Sequence, residues 1–293
     1  MVDFGMLIED TVLNLLRLAA VRLPEDVKAA LRRAYELEGD PLGRLQLENI
    51  LENIRLAEEE NVPVCQDTGV ISFYLRAGLG FRGLNSIEGA LYRAVRKATL
   101  EIPLRPNSVD FFTNKNPGDN TGRYLPYISW GLFNGDYLDI TVLLRGGGSE
   151  NACTLKMMDP SAGLEGVKEF VLDSVIKAGG KPCPPTIIGV GLGGGADIAT
   201  SLAKRALLKP LDEENPNEDA AKLERDLYEL INMTGIGPMG LGGNITTLAV
   251  RVEYAHRHPA SYPVAVAFQC WAARRATARI YSDGRVEYLS HKI

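Results

Sequence analysis

Residues 186–208 read TIIGVGLGGGADIATSLAKRALL, and this stretch decides the fold class. The apolar run at 186–191 predicts a strand. Glycines follow it, and residues 196–208 have the apolar spacing of a helix. A strand that leads through a glycine turn into a helix predicts an α/β protein.

The patterns on either side agree with this class. The first sixty residues predict helices, because apolar residues such as Ile8, Val12 and Leu15 share one helical face. Further predicted elements are strands at 70–75, 138–144, 245–254 and 264–269, helices at 86–100, 164–178 and 220–233, and a hairpin centred on Asp283-Gly284. We therefore expect one mixed α/β domain over residues 1–293. In it, a helical N-terminal subregion, residues 1–61, precedes mixed β-sheets flanked by helices.

Composition and charge narrow the classes of function. The chain has 293 residues, of which 45% are hydrophobic and 24% charged, as in a folded globular protein. Its 32 basic and 37 acidic residues give a formal net charge of −5, so no broad cationic surface for nucleic acid is expected. Charged residues such as Asp3, Asp10 and Arg17 interrupt the apolar start, which predicts no signal peptide or membrane span and favours a cytoplasmic protein.

The glycines of the opening stretch allow two interpretations. Gly189, Gly191 and Gly194 satisfy the G-x-G-x-x-G pattern of NAD-binding proteins. The acidic residue expected about twenty positions later would be Asp212, but it lies in a polar loop and does not end a second parallel strand. An NAD-binding oxidoreductase is therefore a distant alternative, and glycines that allow close packing are favoured.

The four cysteines raise the question of a metal site. Cys65, Cys153, Cys183 and Cys270 are separated by 88, 30 and 87 residues, so the spacing of zinc fingers and ferredoxins is excluded. Spacing alone leaves open whether they are buried thiols or metal ligands that the fold assembles.

Four segments carry a resemblance to a known family. CQDTG (65–69), GGGSEN (146–151), CPPTIIGVGLGG (183–194) and QCWAAR (269–274) resemble the iron–sulfur class I hydro-lyases, the fumarate hydratase and L-tartrate dehydratase family. The resemblance is to the α-subunit or N-terminal part, keeps the motifs in family order and covers about residues 45–280. It implies that Cys65, Cys183 and Cys270 bind a [4Fe–4S] cluster with one open iron. Cys153 lies where relatives read GGGS-x-N-K and is not expected to be a ligand.

The resemblance also implies roles for other residues. Asp67 is expected to carry a proton and His258 to pair with it, whereas Gln66, Arg105, Gly147 and Gly148 are expected to contact a dicarboxylate substrate. Thr68, Asn120, Thr121 and Arg123 are expected to support the site, and Arg274 and Arg275 to offset the negative charge of the cluster.

In single-chain relatives, further substrate contacts lie in a C-terminal domain that has no counterpart in this sequence. The resemblance therefore implies a β-subunit that completes the active site, in a dimer of αβ pairs. Reversible hydration of fumarate to L-malate is the leading expectation for the reaction. Dehydration of L-tartrate to oxaloacetate is the alternative.

Overall fold

The computed structural model describes residues 2–292. The helices are α1 (Phe4–Val21), α2 (Glu25–Leu37), α3 (Pro41–Glu60), α4 (Ile87–Glu101), α5 (Gly147–Asn151), α6 (Gly163–Ala178), α7 (Ala196–Ala206) and α8 (Glu218–Asn232). The strands are β1 (Val70–Gly78), β2 (Tyr127–Phe133), β3 (Tyr137–Arg145), β4 (Thr154–Met158), β5 (Thr186–Gly194), β6 (Thr247–Arg257), β7 (Tyr262–Gln269), β8 (Arg274–Tyr281) and β9 (Val286–Tyr288). These elements confirm the mixed α/β class. No helix within residues 2–292 is long and apolar enough to cross a membrane.

The chain forms two compact units that alternate along the sequence. The first contains Met1–Glu25, Asn53–Gly146 and Ala272–Ile293, and the second contains Asp26–Glu52 and Gly147–Trp271. The single domain expected over residues 1–293 stays a prediction.

The first unit is built on a five-stranded sheet of order β2-β1-β3-β8-β9. β1 pairs in parallel with β2 and antiparallel with β3, which in turn pairs antiparallel with β8. The apolar face of α1 packs against this sheet and against α4, and the predicted positions Ile8, Val12 and Leu15 are fully buried. This burial of one helical stripe holds α1 in place. The hairpin predicted at Asp283-Gly284 joins β8 to β9.

The second unit is built on a four-stranded sheet of order β4-β7-β5-β6. β5 pairs in parallel with β6 and antiparallel with β7. Buried apolar residues of α6 and α8 form a core with these strands, among them Val171 and Leu227. The structure thus has two sheets, each with helices packed on it.

The G-x-G-x-x-G glycines have a packing role in the second unit. A Cβ at Gly189 would lie 2.1 Å from the carbonyl oxygen of Ala203, and one at Gly191 would lie 2.0 Å from that of Ala199. Both carbonyls belong to α7, so glycine lets this helix rest directly on β5. This contact supports the packing interpretation over the NAD-binding one.

Candidate active site

Asp67 lies in the first unit, in the turn between α3 and β1. Its Oδ1 accepts hydrogen bonds from the backbone N–H of Gly69 (2.8 Å) and from Nδ2 of Asn107 (2.6 Å). Gly69 has φ +73°, and a Cβ there would lie 2.2 Å from the carbonyl oxygen of Arg145, so only glycine fits. The carboxylate that was predicted to carry a proton is therefore held in a fixed orientation.

The loop between α4 and β2 supplies Asn107. The backbone N–H of Asn107 donates to Oδ1 of Asn120 (2.8 Å), and Nδ2 of Asn120 donates to Oγ1 of Thr99 on α4 (3.0 Å). Asn120 and Thr99 are buried, which links the loop to the helix through satisfied polar groups. Arg105, a predicted substrate contact, is exposed two residues before Asn107. The structure thus brings the Arg105 segment to Asp67.

The neighbouring Asp119 stabilises the same loop. Burial of its carboxyl opposes ionisation, but hydrogen bonds from Thr121 and the charge of Arg96 outweigh it and hold the pKa of Asp119 below its usual value. Asp119 is therefore ionised at neutral pH and keeps both contacts. Thr121 thus contributes to the structure of the loop, and a role of Asn120 and Thr121 in catalysis stays a prediction.

Three buried arginines lie at one end of the sheet of the first unit. They are Arg145, which ends β3, and Arg274 and Arg275, which begin β8. Nη1 of Arg274 donates to the backbone carbonyl of Asp67 (2.5 Å). Within residues 2–292, no group accepts a hydrogen bond from Nε or Nη2 of Arg274. A buried guanidinium group is stabilised by a nearby anion. This end of the sheet therefore suits a negatively charged ligand.

Gly146 lies between Asp67 and Arg274. A Cβ at Gly146 would lie 2.6 Å from Oδ2 of Asp67 and 3.9 Å from Nη2 of Arg274. Glycine is therefore needed at this position, because the carboxylate of Asp67 lies where a side chain would begin.

Cys183 and Cys270 lie at one end of the sheet of the second unit. Cys183 precedes β5 and Cys270 follows β7, and the backbone N–H of Trp271 donates to the carbonyl oxygen of Cys183 (3.3 Å). Gly148 lies near the same segment, because a Cβ there would be 2.4 Å from the carbonyl oxygen of Lys181. The structure therefore brings the Cys183 and Cys270 segments together, with Gly147 and Gly148 beside the loop that leads to Cys183.

The remaining cysteines differ in their surroundings. Cys65 and the exposed Gln66 precede Asp67 in the first unit. Cys153 lines a cavity of about 160 Å³ in the second unit, together with Lys204 and apolar residues of α7 and β7. All four cysteines are half-buried and free of disulfides. In the described part of the chain, no group of three or more His, Cys, Asp or Glu side chains is close enough to hold a metal ion.

His258 lies away from Cys270. It is exposed in the turn between β6 and β7, where its Nδ1 accepts a hydrogen bond from the backbone N–H of Ala260 (3.1 Å). Cys270 follows the other end of β7, and the 8 residues of this strand span roughly 26 Å at about 3.3 Å each. The structure does not bring His258 next to Cys183 and Cys270.

Two residues at this site were not predicted. Asn107 contacts Asp67 across 40 residues of sequence, and Gly146 borders both Asp67 and Arg274. Asn107 follows the predicted Arg105 by two positions, and Gly146 is the first glycine of the GGGSEN motif. The available signals were the nearness of Asn107 to Arg105 in the sequence and the place of Gly146 in the GGGSEN motif.

The chain is similar to known proteins over most of its length. The family model for fumarate hydratase (fumerase) matches residues 9–279. The chain is 46% identical to the putative L(+)-tartrate dehydratase subunit alpha of Methanocaldococcus jannaschii, over 96% of this chain and 100% of that relative. It is 37% identical to the L(+)-tartrate dehydratase subunit alpha of Escherichia coli K12, over 96% of this chain and 93% of that relative.

Proposed function

Since the chain belongs to the fumarate hydratase family, we propose that it is the α-subunit of a hydro-lyase that acts on a small hydroxy-dicarboxylate. The observation that carries this proposal is the match to curated α-subunits over almost their whole length. Asp67, fixed by Asn107 and bordered by buried Arg274, supplies a proton-transfer group beside cationic charge, as such a reaction requires.

L-tartrate is the proposed substrate. The relatives are named L(+)-tartrate dehydratase subunits, and these names support the alternative expectation better than the leading one, hydration of fumarate. Both reactions break or form a C–O bond next to a carboxylate, and the two hydroxy acids differ by a single hydroxyl group. Fumarate and L-malate are therefore the second substrate pair to test.

Cys65, Cys183 and Cys270 are the proposed ligands of a [4Fe–4S] cluster. The donor set fits such a group, because cysteines outside disulfides can provide thiolate ligands and a backbone hydrogen bond joins the Cys183 and Cys270 segments. Bound at three cysteines, the cluster would supply a Lewis acid at its open iron.

The other proposed roles belong to the chain's own side chains. Asp67, whose Oδ1 accepts hydrogen bonds from Gly69 and Asn107 and whose Oδ2 faces Gly146, is the proposed proton carrier. Arg105, Gln66, Gly147 and Gly148 contact the substrate, and the planar guanidinium of Arg105 suits a carboxylate. A role for His258 rests on the family resemblance alone.

The proposed active form contains a second subunit. The relatives are named alpha subunits, and we infer a β-subunit that completes the site, in a dimer of αβ pairs. Four free cysteines suit a reducing compartment, which supports a cytoplasmic location.

The experiment is an anaerobic assay after reconstitution with iron and sulfide. The chain is assayed with and without its β-subunit on L-tartrate, D-tartrate, L-malate and fumarate. We expect turnover only with both subunits and the highest kcat/KM with L-tartrate. No turnover of any of these acids by the complex would contradict the hydro-lyase proposal, and equal activity of the isolated chain would contradict the need for a partner.

Iron and sulfide analysis of the anaerobically purified chain separates this proposal from a metal-free structural subunit. Titration with NAD tests the oxidoreductase alternative, for which we expect no binding.

A further inference from the structure

Arg274 has an unsatisfied edge inside the first unit. Its side chain is 1% exposed, and only Nη1 has a hydrogen-bond acceptor, the backbone carbonyl of Asp67. Nε and Nη2 have none among residues 2–292. Burying charged N–H groups without acceptors is unfavourable, so the arrangement is explained if a ligand accepts from them.

The two unsatisfied atoms identify the kind of ligand. Nε and Nη2 lie on the same edge of the guanidinium plane, and their N–H bonds are nearly parallel. This edge binds the two oxygens of a carboxylate through two parallel hydrogen bonds. A sulfide ion of an iron–sulfur cluster has a single acceptor atom, so it satisfies the two N–H groups less well than a carboxylate does.

The proposed proton carrier lies near this edge of the guanidinium group. The position that a Gly146 Cβ would occupy is 3.9 Å from Nη2 of Arg274 and 2.6 Å from Oδ2 of Asp67. Arg145 and Arg275, both buried, add positive charge at the same end of the sheet. A carboxylate bound to Arg274 would therefore place the rest of a small acid next to Asp67.

We propose that Arg274 is a substrate-binding residue whose Nε–Nη2 edge holds one carboxylate of the dicarboxylate beside Asp67. This inference rests on the proposed function and assigns to Arg274 a role beyond offsetting the charge of a cluster. Because Nη1 holds the Asp67 backbone at the same time, Arg274 also sets the position of the proton carrier relative to the bound carboxylate.

The test compares Arg274→Lys with Arg279→Lys in the reconstituted αβ complex. Lysine keeps the charge but loses the two-point edge. Arg279 lies on the same strand and hydrogen bonds to Asp139, which makes it a matched control. We expect Arg274→Lys to raise the KM for the substrate about 10- to 100-fold, with kcat changed only a few-fold. The dissociation constant of succinate, a non-reacting dicarboxylate measured by calorimetry, should rise by the same factor. Arg279→Lys should leave both constants within twofold of wild type.

The results distinguish a failure of this inference from a failure of the proposed function. Unchanged succinate affinity in a folded Arg274→Lys complex would overturn the inference. An unchanged KM together with a lower iron and sulfide content would also overturn it, because the arginine would then support the cluster and not the substrate. If wild type binds succinate but turns over none of the acids, the reaction is wrong and the succinate comparison still decides the role of Arg274. If Arg274→Lys does not fold, Arg274→Gln is the second variant, because it too lacks the parallel pair of N–H groups, and unchanged succinate affinity in that variant would also overturn the inference.

Discussion

Asp67 shows how single residues fix the candidate site. Its motif, CQDTG, was sufficient to single it out, but spacing could not reveal its neighbours. Asn107 is 40 positions away and Arg274 is 207 positions away, so their contacts exist only because the sheet of the first unit brings distant segments together. Residue type and motif thus predict which side chains take part, whereas the fold decides what surrounds them.

The first prediction concerns the hydrogen bond between Asn107 and Asp67. Asn107→Ala removes a charge-assisted bond that orients the carboxylate, so we expect kcat of the reconstituted complex to fall about 10-fold or more. Steady-state kinetics measure this change. Asn116→Ala is the control, because Asn116 lies in the same loop and donates to the carbonyl of Pro106 instead. Equal kcat in Asn107→Ala and wild type would show that Asp67 does not need this bond.

A second residue-scale prediction concerns Glu38 in the second unit. Its buried carboxylate accepts hydrogen bonds from the backbone N–H groups of Asp40 (3.0 Å), Asn244 (2.9 Å) and Ile245 (2.9 Å). Glu38→Ala leaves these donors without their acceptor, and we expect the free energy of unfolding to fall by about 3 kcal/mol. Urea denaturation measures the loss. Glu36→Ala, at an exposed position in the last turn of α2, should change it by less than about 0.5 kcal/mol, and a similar loss in both variants would contradict this role.

At the scale of elements, the sequence predicts the buried strands and misses two edge strands. β1, β3, β5, β6 and β7 were expected close to their observed positions. In the described part of the chain, β2 and β4 each pair with one neighbouring strand and bury few of their side chains. Because an edge strand needs no continuous apolar run or strict alternation, periodicity gives little signal there. The order of strands in each sheet could likewise not be predicted from the sequence, since it depends on contacts between distant segments.

The contact between β5 and α7 supports an element-scale prediction. Gly191→Ala places a methyl group against the carbonyl oxygen of Ala199, so α7 must shift away from the sheet. We expect the free energy of unfolding to fall by about 1–3 kcal/mol, measured by denaturant titration. Gly39→Ala is the control, because its Cβ would meet only Oδ1 of Asn244, at 3.9 Å. A stable Gly191→Ala chain would contradict the packing role.

The same element distinguishes packing from nucleotide binding. A ligand that binds only the folded chain raises its melting temperature. Because Gly189 and Gly191 of β5 lie against α7, we expect NAD to leave the melting temperature of the wild-type chain unchanged. A rise that saturates with NAD concentration would restore the oxidoreductase alternative.

At the scale of the whole molecule, the cysteines test the proposed cofactor. Replacing Cys65, Cys183 or Cys270 with serine removes a proposed thiolate ligand, so each variant should lose most of its iron, sulfide and visible absorbance after anaerobic reconstitution. Cys153→Ser is the matched control. Its thiol lines the cavity beside Lys204 and donates to the carbonyl oxygen of Ser149 (3.4 Å), which a hydroxyl group can also do. A cluster that requires Cys153 and tolerates Cys183→Ser would contradict the ligand assignment. If the three ligand variants lose the cluster and Cys153→Ser keeps it, the ligands implied by the family resemblance are those of this chain.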